Sequence, residues 1–389
     1  MFYAPDVSIY AEKGSYIPSK APVFYNPKMS INRDVTVCVL QTYSEEAGRK
    51  LRVCVPMAGC GVRALRFMLE TDGVESIVVN DINPAAFSLI EKNFEMHRLK
   101  EKATICREDA NTLLSSFASK GDRFDMIDLD PFGSPAPFLD SAIRALKPKS
   151  AMLCITATDL PPLCGSQPKA CLRRYGSIPF KGEYCHEVAL RILIAHAISV
   201  AAKYDYALQP VLSYYFGHHV RAYFRGELRA KRADEILEKI GYLIHCDHCL
   251  SRKLIGRISA PKIAGRCPDC GGEVRTAGPL WCGPLQDEGF LRRVVFISKR
   301  KIGKGNTLEL LMQLLAEANA PPLYYDIHRM CSVAHIPCPP IEKVVNALRE
   351  RGYLAFRTHF SKVSVKTDAP PMKLLVLLRE LSFDDYPKI

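Results

Sequence analysis

A chain of 389 residues that is 48% apolar and 24% charged has the composition of a folded globular protein, which excludes disordered, collagen-like and coiled-coil classes. Lys and Arg number 53 against 41 Asp and Glu; the formal net charge of +12 points toward a polyanionic partner, although charge alone defines none. The sequence shows neither a signal-peptide pattern nor a run of about 18 apolar residues, so a cytoplasmic protein with no membrane partner is expected, and its 15 cysteines read as thiols and metal ligands.

Between residues 51 and 160, short apolar runs alternate with segments of helical period. In order they are LRVCV, VRALRFMLE, ESIVVN, AFSLIEKNFEMH, ATICRED, FDMIDLD, SAIRALK and AMLCITATD. This predicts strand, helix, strand, helix, strand, loop, strand, helix, strand, the pattern of a doubly wound α/β sheet. Ligands of such sheets lie beyond the C-terminal strand ends. A loop at PPLCG, a helix over ALRILIAHAISVAAKY and a strand-like SYYFGHHVRAYFRGE complete a first domain over 1–240. Paired cysteines open a metal-binding module with a linker over 241–300. Three short helices and the strand-like LAFRTHF then suggest a winged-helix-like α+β domain over 301–389.

The first strand exits into PMAGCGVRALRF, where Gly59 and Gly61 permit a tight turn and a close backbone approach. The second strand ends at Asp81, placed to take both hydroxyls of a ribose, and the third at Asp109, placed to accept from an adenine amino group. Together they suit a nucleoside-bearing cofactor. Ala64 at the third glycine position leaves a dinucleotide open, and Asp81 also reads as an N-cap for a helix starting at Asn83 or Pro84.

The fourth strand runs into DLDPFGSPAPF. Asp130 stands at its end, and Pro131 and Gly133 hold the backbone in an irregular turn: acceptors without a donor, suited to a guest with N–H groups to give. An exocyclic amine on a base is a poor nucleophile because its lone pair is delocalised into the ring. The Asp130 carboxylate and Pro131 carbonyl would draw on its protons and orient it, while Phe132 offers a stacking surface. A plain strand-ending turn is the alternative. Asp128, two residues back, points the same way as Asp130 and reads as an orienting group.

Cys246, Cys249, Cys267 and Cys270 form two C-x2-C knuckles, the spacing of a closed, structural Zn2+ site. In VRAYFR, alternation puts Arg221, Tyr223 and Arg225 on one strand face, suited to a sugar-phosphate backbone or simply solvated. KRKIGKGN reads as an exposed basic linker, and His218 and His219 as surface residues.

The combination NPKMSINRD, GCGVRALRF, NDINP, DLDPFGSPAPFLDSA, ITATDLPPLCG and RTHFSKVSVKTDAP resembles the tRNA (guanine(26)-N2)-dimethyltransferase family, its archaeal members especially, from about residue 20 to 370. The resemblance implies a Rossmann-like class I methyltransferase domain with a zinc-ribbon-like insert, S-adenosyl-L-methionine as donor, and one or two methyl transfers to the N2 amine of guanine 26 of tRNA. It further implies cofactor contacts by Arg33 and Arg63, a ribose and adenine lining of Asp81, Asp109 and Ala110, and catalysis by Asp130. No obligate protein partner is evident. The sequence departs from the family at Val55, where an acidic residue usually ends strand one, and Asp34 is a candidate to compensate. Adenine N6 methylation and a tRNA-binding protein of weak or lost activity are the alternatives.

Overall fold

The computed structural model describes residues 21–256 and 265–383. Its first helix, α1 (Ser30–Ala47), precedes β1 (Leu51–Val55), α2 (Val62–Glu70), β2 (Val74–Asn80), α3 (Pro84–Met96), β3 (Ala103–Cys106), α4 (Ala110–Ser119), β4 (Met126–Leu129), α5 (Leu139–Ala145) and β5 (Ala151–Ala157). Then follow α6 (Leu160–Leu163), α7 (Pro168–Tyr175), α8 (Cys185–Ala202) and the hairpin β6 (Tyr206–Phe216) and β7 (His219–Leu228). These strands form one seven-stranded sheet in the order β3-β2-β1-β4-β5-β7-β6. Strands β1 to β5 are parallel and the hairpin is antiparallel. Strand order reverses at β1, which pairs with both β2 and β4, so the ligand crevice falls at their C-terminal ends.

Side chains of the central strands alternate between two cores, as a period of two requires. Ile127, Leu129, Leu153 and Ile155 pack with α4, α5 and α8. Val53, Val55, Met126, Met152 and Tyr223 pack with α1, α2 and α3 on the other side.

Two helices depart from the sequence reading. Helix α1 is buried almost continuously from Ile31 to Ser44, polar residues such as Asn32 and Thr36 included, so its apolar residues form no helical stripe to read. Helix α4 occupies a stretch read as loop: its Ser, Asn and Thr residues are weak helix formers, but Asp109 caps its first turn. Helix α8 is long and apolar enough to cross a membrane, yet it is largely buried inside the protein as a core helix.

After α9 (Ala230–Leu237), strands β8 (Ile240–Cys246), β9 (Arg252–Gly256) and β10 (Val274–Trp281) make a three-stranded antiparallel sheet that carries the cysteine knuckles. Helices α10 (Glu288–Lys301) and α11 (Asn306–Ala316) return to the main body. Leu291, Val294, Leu310, Leu311 and Leu314 share the core of α1. The stretch read as a basic linker thus begins on the last turn of α10, although Lys299, Arg300 and Lys301 are exposed. The C-terminal module has its own core, built from β11 (Tyr325–Asp326), α12 (Ile327–Ala334), α13 (Ile341–Glu350), the hairpin β12 (Ala355–Thr358) and β13 (Ser361–Thr367), and α14 (Pro371–Phe383).

A buried charge network joins this module to the main body. Lys366 on β13 reaches Glu187 of α8 at 3.1 Å and Glu317 at 3.6 Å. Glu187 also accepts from Arg191 and from the Leu323 amide, and His359 binds Glu317 through Nδ1 while its Nε2 accepts from the Tyr215 amide at 3.2 Å. Burial pushes the Glu187 carboxyl up, but Lys366 and Arg191 outweigh it and bring it to about 2. A carboxyl depressed on folding stabilises the protein above its unfolded pKa and loses that contribution as pH falls through the folded value. Stability measured by urea denaturation is therefore expected to drop between about pH 5 and pH 2. Lys366→Met, which strips Glu187 of one counter-charge, should cost about 3 kcal/mol at pH 7 and flatten this acid dependence.

Candidate active site

The ends of β1 to β5 open on a cavity of about 410 Å3 whose wall includes Gly59, Asn80, Asp81, Glu108, Asp109, Ala110, Asp130, Pro131, Phe132, Thr158 and His218. Gly59 lies in the left-handed region at φ 57°, and a Cβ there would stand 3.0 Å from the Phe24 carbonyl oxygen. Its amide donates to Asp81 Oδ2 at 2.7 Å, while Asp81 Oδ1 accepts from the Asn83 amide at 3.0 Å. Burial pushes the Asp81 carboxyl up, and those two amides offset part of the rise. The helix cap proper is Asn83, whose Oδ1 accepts from the Ala85 amide. Asp109 caps α4 by accepting from the Asn111 and Thr112 amides at 3.0 and 3.1 Å, and also lines the cavity. Asn80 bridges strand ends, donating to the Pro56 and Glu108 carbonyls at 2.9 Å.

Gly61 sits behind this wall as the left-handed N-cap of α2 at φ 78°. Arg33 and Arg63 are also set back from it. Arg33 is buried, donating to the Asn26 carbonyl at 3.2 Å beneath the Tyr25 ring. Val55 is buried in the apolar core, and Asp34 pairs with Arg66 at 2.7 Å and accepts from Thr307 at 2.8 Å, so Asp34 is engaged away from the cavity. The carboxylates that join Asp81 and Asp109 on the wall are those of Glu108 and Asp130.

Arg63 is the donor that the turn after β4 was expected to lack. Its Nη2 donates to Asp130 Oδ2, and its Nη1 reaches Asp128 at 3.2 Å and Asn32 at 2.8 Å. Arg221 holds the other oxygen of Asp128 at 2.8 Å and also binds Thr156 and Thr36. Asp128 and Arg221 are both fully buried. The face of β7 expected to meet a sugar-phosphate backbone is thus covered by α1: Tyr223 is buried and bonds to Thr36, and Arg225 pairs with Glu46 over the Phe290 ring. His219 is buried as well, and only His218 of that pair is exposed and lines the cavity.

Burial pushes the Asp130 carboxyl up, but Arg63 and Arg221 outweigh it and hold it below the usual carboxylate range. Burial, aided by His218, Arg221 and Arg63 and only partly opposed by Asp130, lowers the neighbouring His219 to about 3. Phe132 is 67% exposed, with the Phe24 ring edge-on at 4.5 Å. Sequence reasoning passed over Phe24, Asn80, Asn32 and Thr36; the Phe-Tyr pair in APVFYNP was the available signal for the first.

In the knuckle module, the Sγ atoms of Cys246 and Cys270 lie 3.5 Å apart and those of Cys249 and Cys267 3.6 Å apart, with all four within 4.8 Å of one another. Tetrahedral Zn–S bonds of about 2.3 Å place sulfurs about 3.8 Å apart, so the four thiols fit one Zn2+ with no coordination position left over.

A doubly wound sheet with a reversed hairpin at its edge and acidic residues at the ends of β2, β3 and β4 defines a Rossmann-like methyltransferase. The profile of the N2,N2-dimethylguanosine tRNA methyltransferase family matches residues 5–379, and the chain belongs to that family. Its relatives include the tRNA (guanine(26)-N(2))-dimethyltransferases of Methanobrevibacter smithii, 39% identical over 94% of this chain and 93% of that one, and of Methanothermobacter thermautotrophicus, 40% identical over 93% and 94%. Among solved structures, Trm1 from Pyrococcus horikoshii with S-adenosyl-L-methionine superposes with a TM-score of 0.79 at 34% identity, covering 93% of this chain and 96% of that one.

Two outcomes are expected. Metal analysis of the double variant Cys246→Ser, Cys270→Ser should show one zinc fewer per chain than the native protein. Chelation of that ion should lower the thermal midpoint, because a closed thiolate site contributes folding free energy directly.

Proposed function

We propose that this chain, in the cytoplasm, transfers one or two methyl groups from S-adenosyl-L-methionine to the exocyclic N2 of guanine 26 in tRNA. The observation that supports this most directly is the turn Asp130–Pro131–Phe132, set on a buried ion-pair platform at the rim of a cavity that also presents Asp81 and Asp109. Asp81, braced by the Gly59 amide, suits a ribose diol. Asp109 and Ala110 suit the adenine end. Gly59 gives a backbone cradle that any side chain would crowd. Arg33 and Arg63 act from behind the wall, Arg63 by orienting Asp130.

When bound, the donor supplies a sulfonium methyl as electrophile. Phe132 stacks the target base, extruded if it begins stacked, and Phe24 narrows the slot from the side. Asp130 is held by Arg63 on Oδ2 and by a hydrogen bond from Thr156, and its remaining lone pairs accept from the N2 amine, with the Pro131 carbonyl as second acceptor. The N–C bond forms as the C–S bond breaks and its electron pair returns to sulfur. The methylated amine is then a strong acid, so Asp130 accepts its proton despite a lowered pKa. A second transfer repeats the step with the one N–H that remains.

Mass spectrometry of nucleosides from unmodified tRNA incubated with the methyl donor tests this. The native protein should yield N2-methylated guanosine, and Asp130→Ala should fall by at least about 100-fold. Methylated adenosine, or no product from a native protein that binds tRNA, contradicts the assignment. Phe132→Ala, losing roughly 1 to 3 kcal/mol of stacking, should raise KM for tRNA by roughly 5- to 150-fold. Because Asp130 is held ionised and His219 neutral, kcat/KM should show no ascending limb from either group between about pH 5 and 8; a limb centred near 6.5 would contradict that.

A further inference from the structure

We propose that Cys164, Cys185 and His186 form a second cation site, a three-donor set for Zn2+ separate from the knuckle module. Cys164 follows the short helix α6, and Cys185 and His186 open α8, so tertiary structure rather than sequence spacing brings them together. Their ligand atoms all lie within 4.8 Å of one another.

The backbone enforces this approach. Gly165 takes the left-handed φ of 90°, and a Cβ there would stand 3.0 Å from the Lys181 amide nitrogen. The loop carrying Cys164 is therefore pressed against the segment that leads into Cys185. The His186 ring is stacked on Tyr215 at 4.0 Å with a 14° interplanar angle, which fixes its plane. All three residues are half-buried, and none lines the cavity below Asp130.

The donor types select the ion. Two thiolates and an imidazole are soft ligands that favour zinc over calcium or magnesium, and two thiolates neutralise its charge so that a half-buried complex carries none. Tetrahedral zinc needs donors roughly 3.5 to 3.8 Å apart, which small side-chain rotations reach from the observed spacing. Three protein donors leave the fourth position to water, so this ion should be held less tightly than the one in the four-cysteine site.

The site would also brace the catalytic turn. Cys164 lies six residues after Thr158, whose hydroxyl accepts from the Gly133 amide at 2.8 Å and whose own amide donates to the Gly133 carbonyl at 2.9 Å. A metal joining Cys164 to α8 would tie the loop behind Asp130 to a core helix.

Full-length protein, stripped of metal under reductant and titrated with Zn2+ against a chromophoric chelator, tests the proposal. The native chain should take up two equivalents, Cys185→Ser one, and His186→Gln should bind the second roughly tenfold or more weakly. One equivalent in the native chain, or two in Cys185→Ser with unchanged affinity, overturns it. So does a Cys164–Cys185 disulfide, seen as a loss of two hydrogens in the mass of native protein purified without reductant. Should Cys185→Ser fail to fold, Co2+ loading of the native chain decides. A second absorption component of mixed sulfur and nitrogen ligation, filling after a four-sulfur one, supports the site; a single four-sulfur spectrum saturating at one equivalent refutes it.

Discussion

The fold around the cavity depends on one fully buried carboxylate. Asp128 sits on β4 with no solvent contact, gripped by Arg63 from helix α2 on one oxygen and by Arg221 from strand β7 on the other. A lone carboxylate in such a place would be prohibitively costly, and two guanidiniums around one carboxylate would leave an uncompensated positive charge. Asp130 supplies the balancing negative charge. The four groups are thus nearly neutral as a set, and none can be removed without stranding another. Because β7 pairs with β5 and carries Arg221, the antiparallel hairpin and the turn after β4 are tied together by one charge network.

The same arrangement explains the chemistry assigned to Asp130. A carboxylate that must orient an amine needs to be ionised and immobile, and Arg63 supplies both conditions from behind, leaving the remaining lone pairs to the guest. Asn32 and Thr36 on α1 fix Arg63 and Arg221 in turn, so a helix far from β4 in sequence sets the position of Asp130. Asp81 and Asp109 follow a simpler rule: backbone amides of Gly59 and Asn83 hold the first and those of Asn111 and Thr112 the second.

Much of this was legible from the sequence. Parallel strands buried on both faces read as apolar runs, which is why β1, β2, β4 and β5 could be placed, and the edge strand β3 was marked by its place between them and Asp109. What escaped notice did so for physical reasons. The apolar residues of helix α1 form no stripe and therefore show no period. Alternation along β7 put Arg221, Tyr223 and Arg225 on one side, but nothing local says that α1 and α10 cover that side. His219 was misjudged as exposed for the same reason. Phe24 precedes the first regular element of the described chain, so only its pairing with Tyr25 marks it and no periodicity does. The cysteine knuckles, by contrast, are read from spacing alone, because both halves of that site are local.

The charge network of Glu187, Lys366, Glu317 and His359 has a consequence for where this molecule can yield. It couples a core helix of the sheet domain to the β-hairpin of the C-terminal module through groups that are nearly inaccessible to water. Hinging the two bodies apart would expose unmatched charges to a low-dielectric interior before water could reach them. At the rim of the crevice, by contrast, Phe132 and His218 stand exposed outside this network. A bulky polymer docking on this protein therefore meets two modules bound by buried charge, and prising them apart to admit a nucleotide would forfeit those ion pairs.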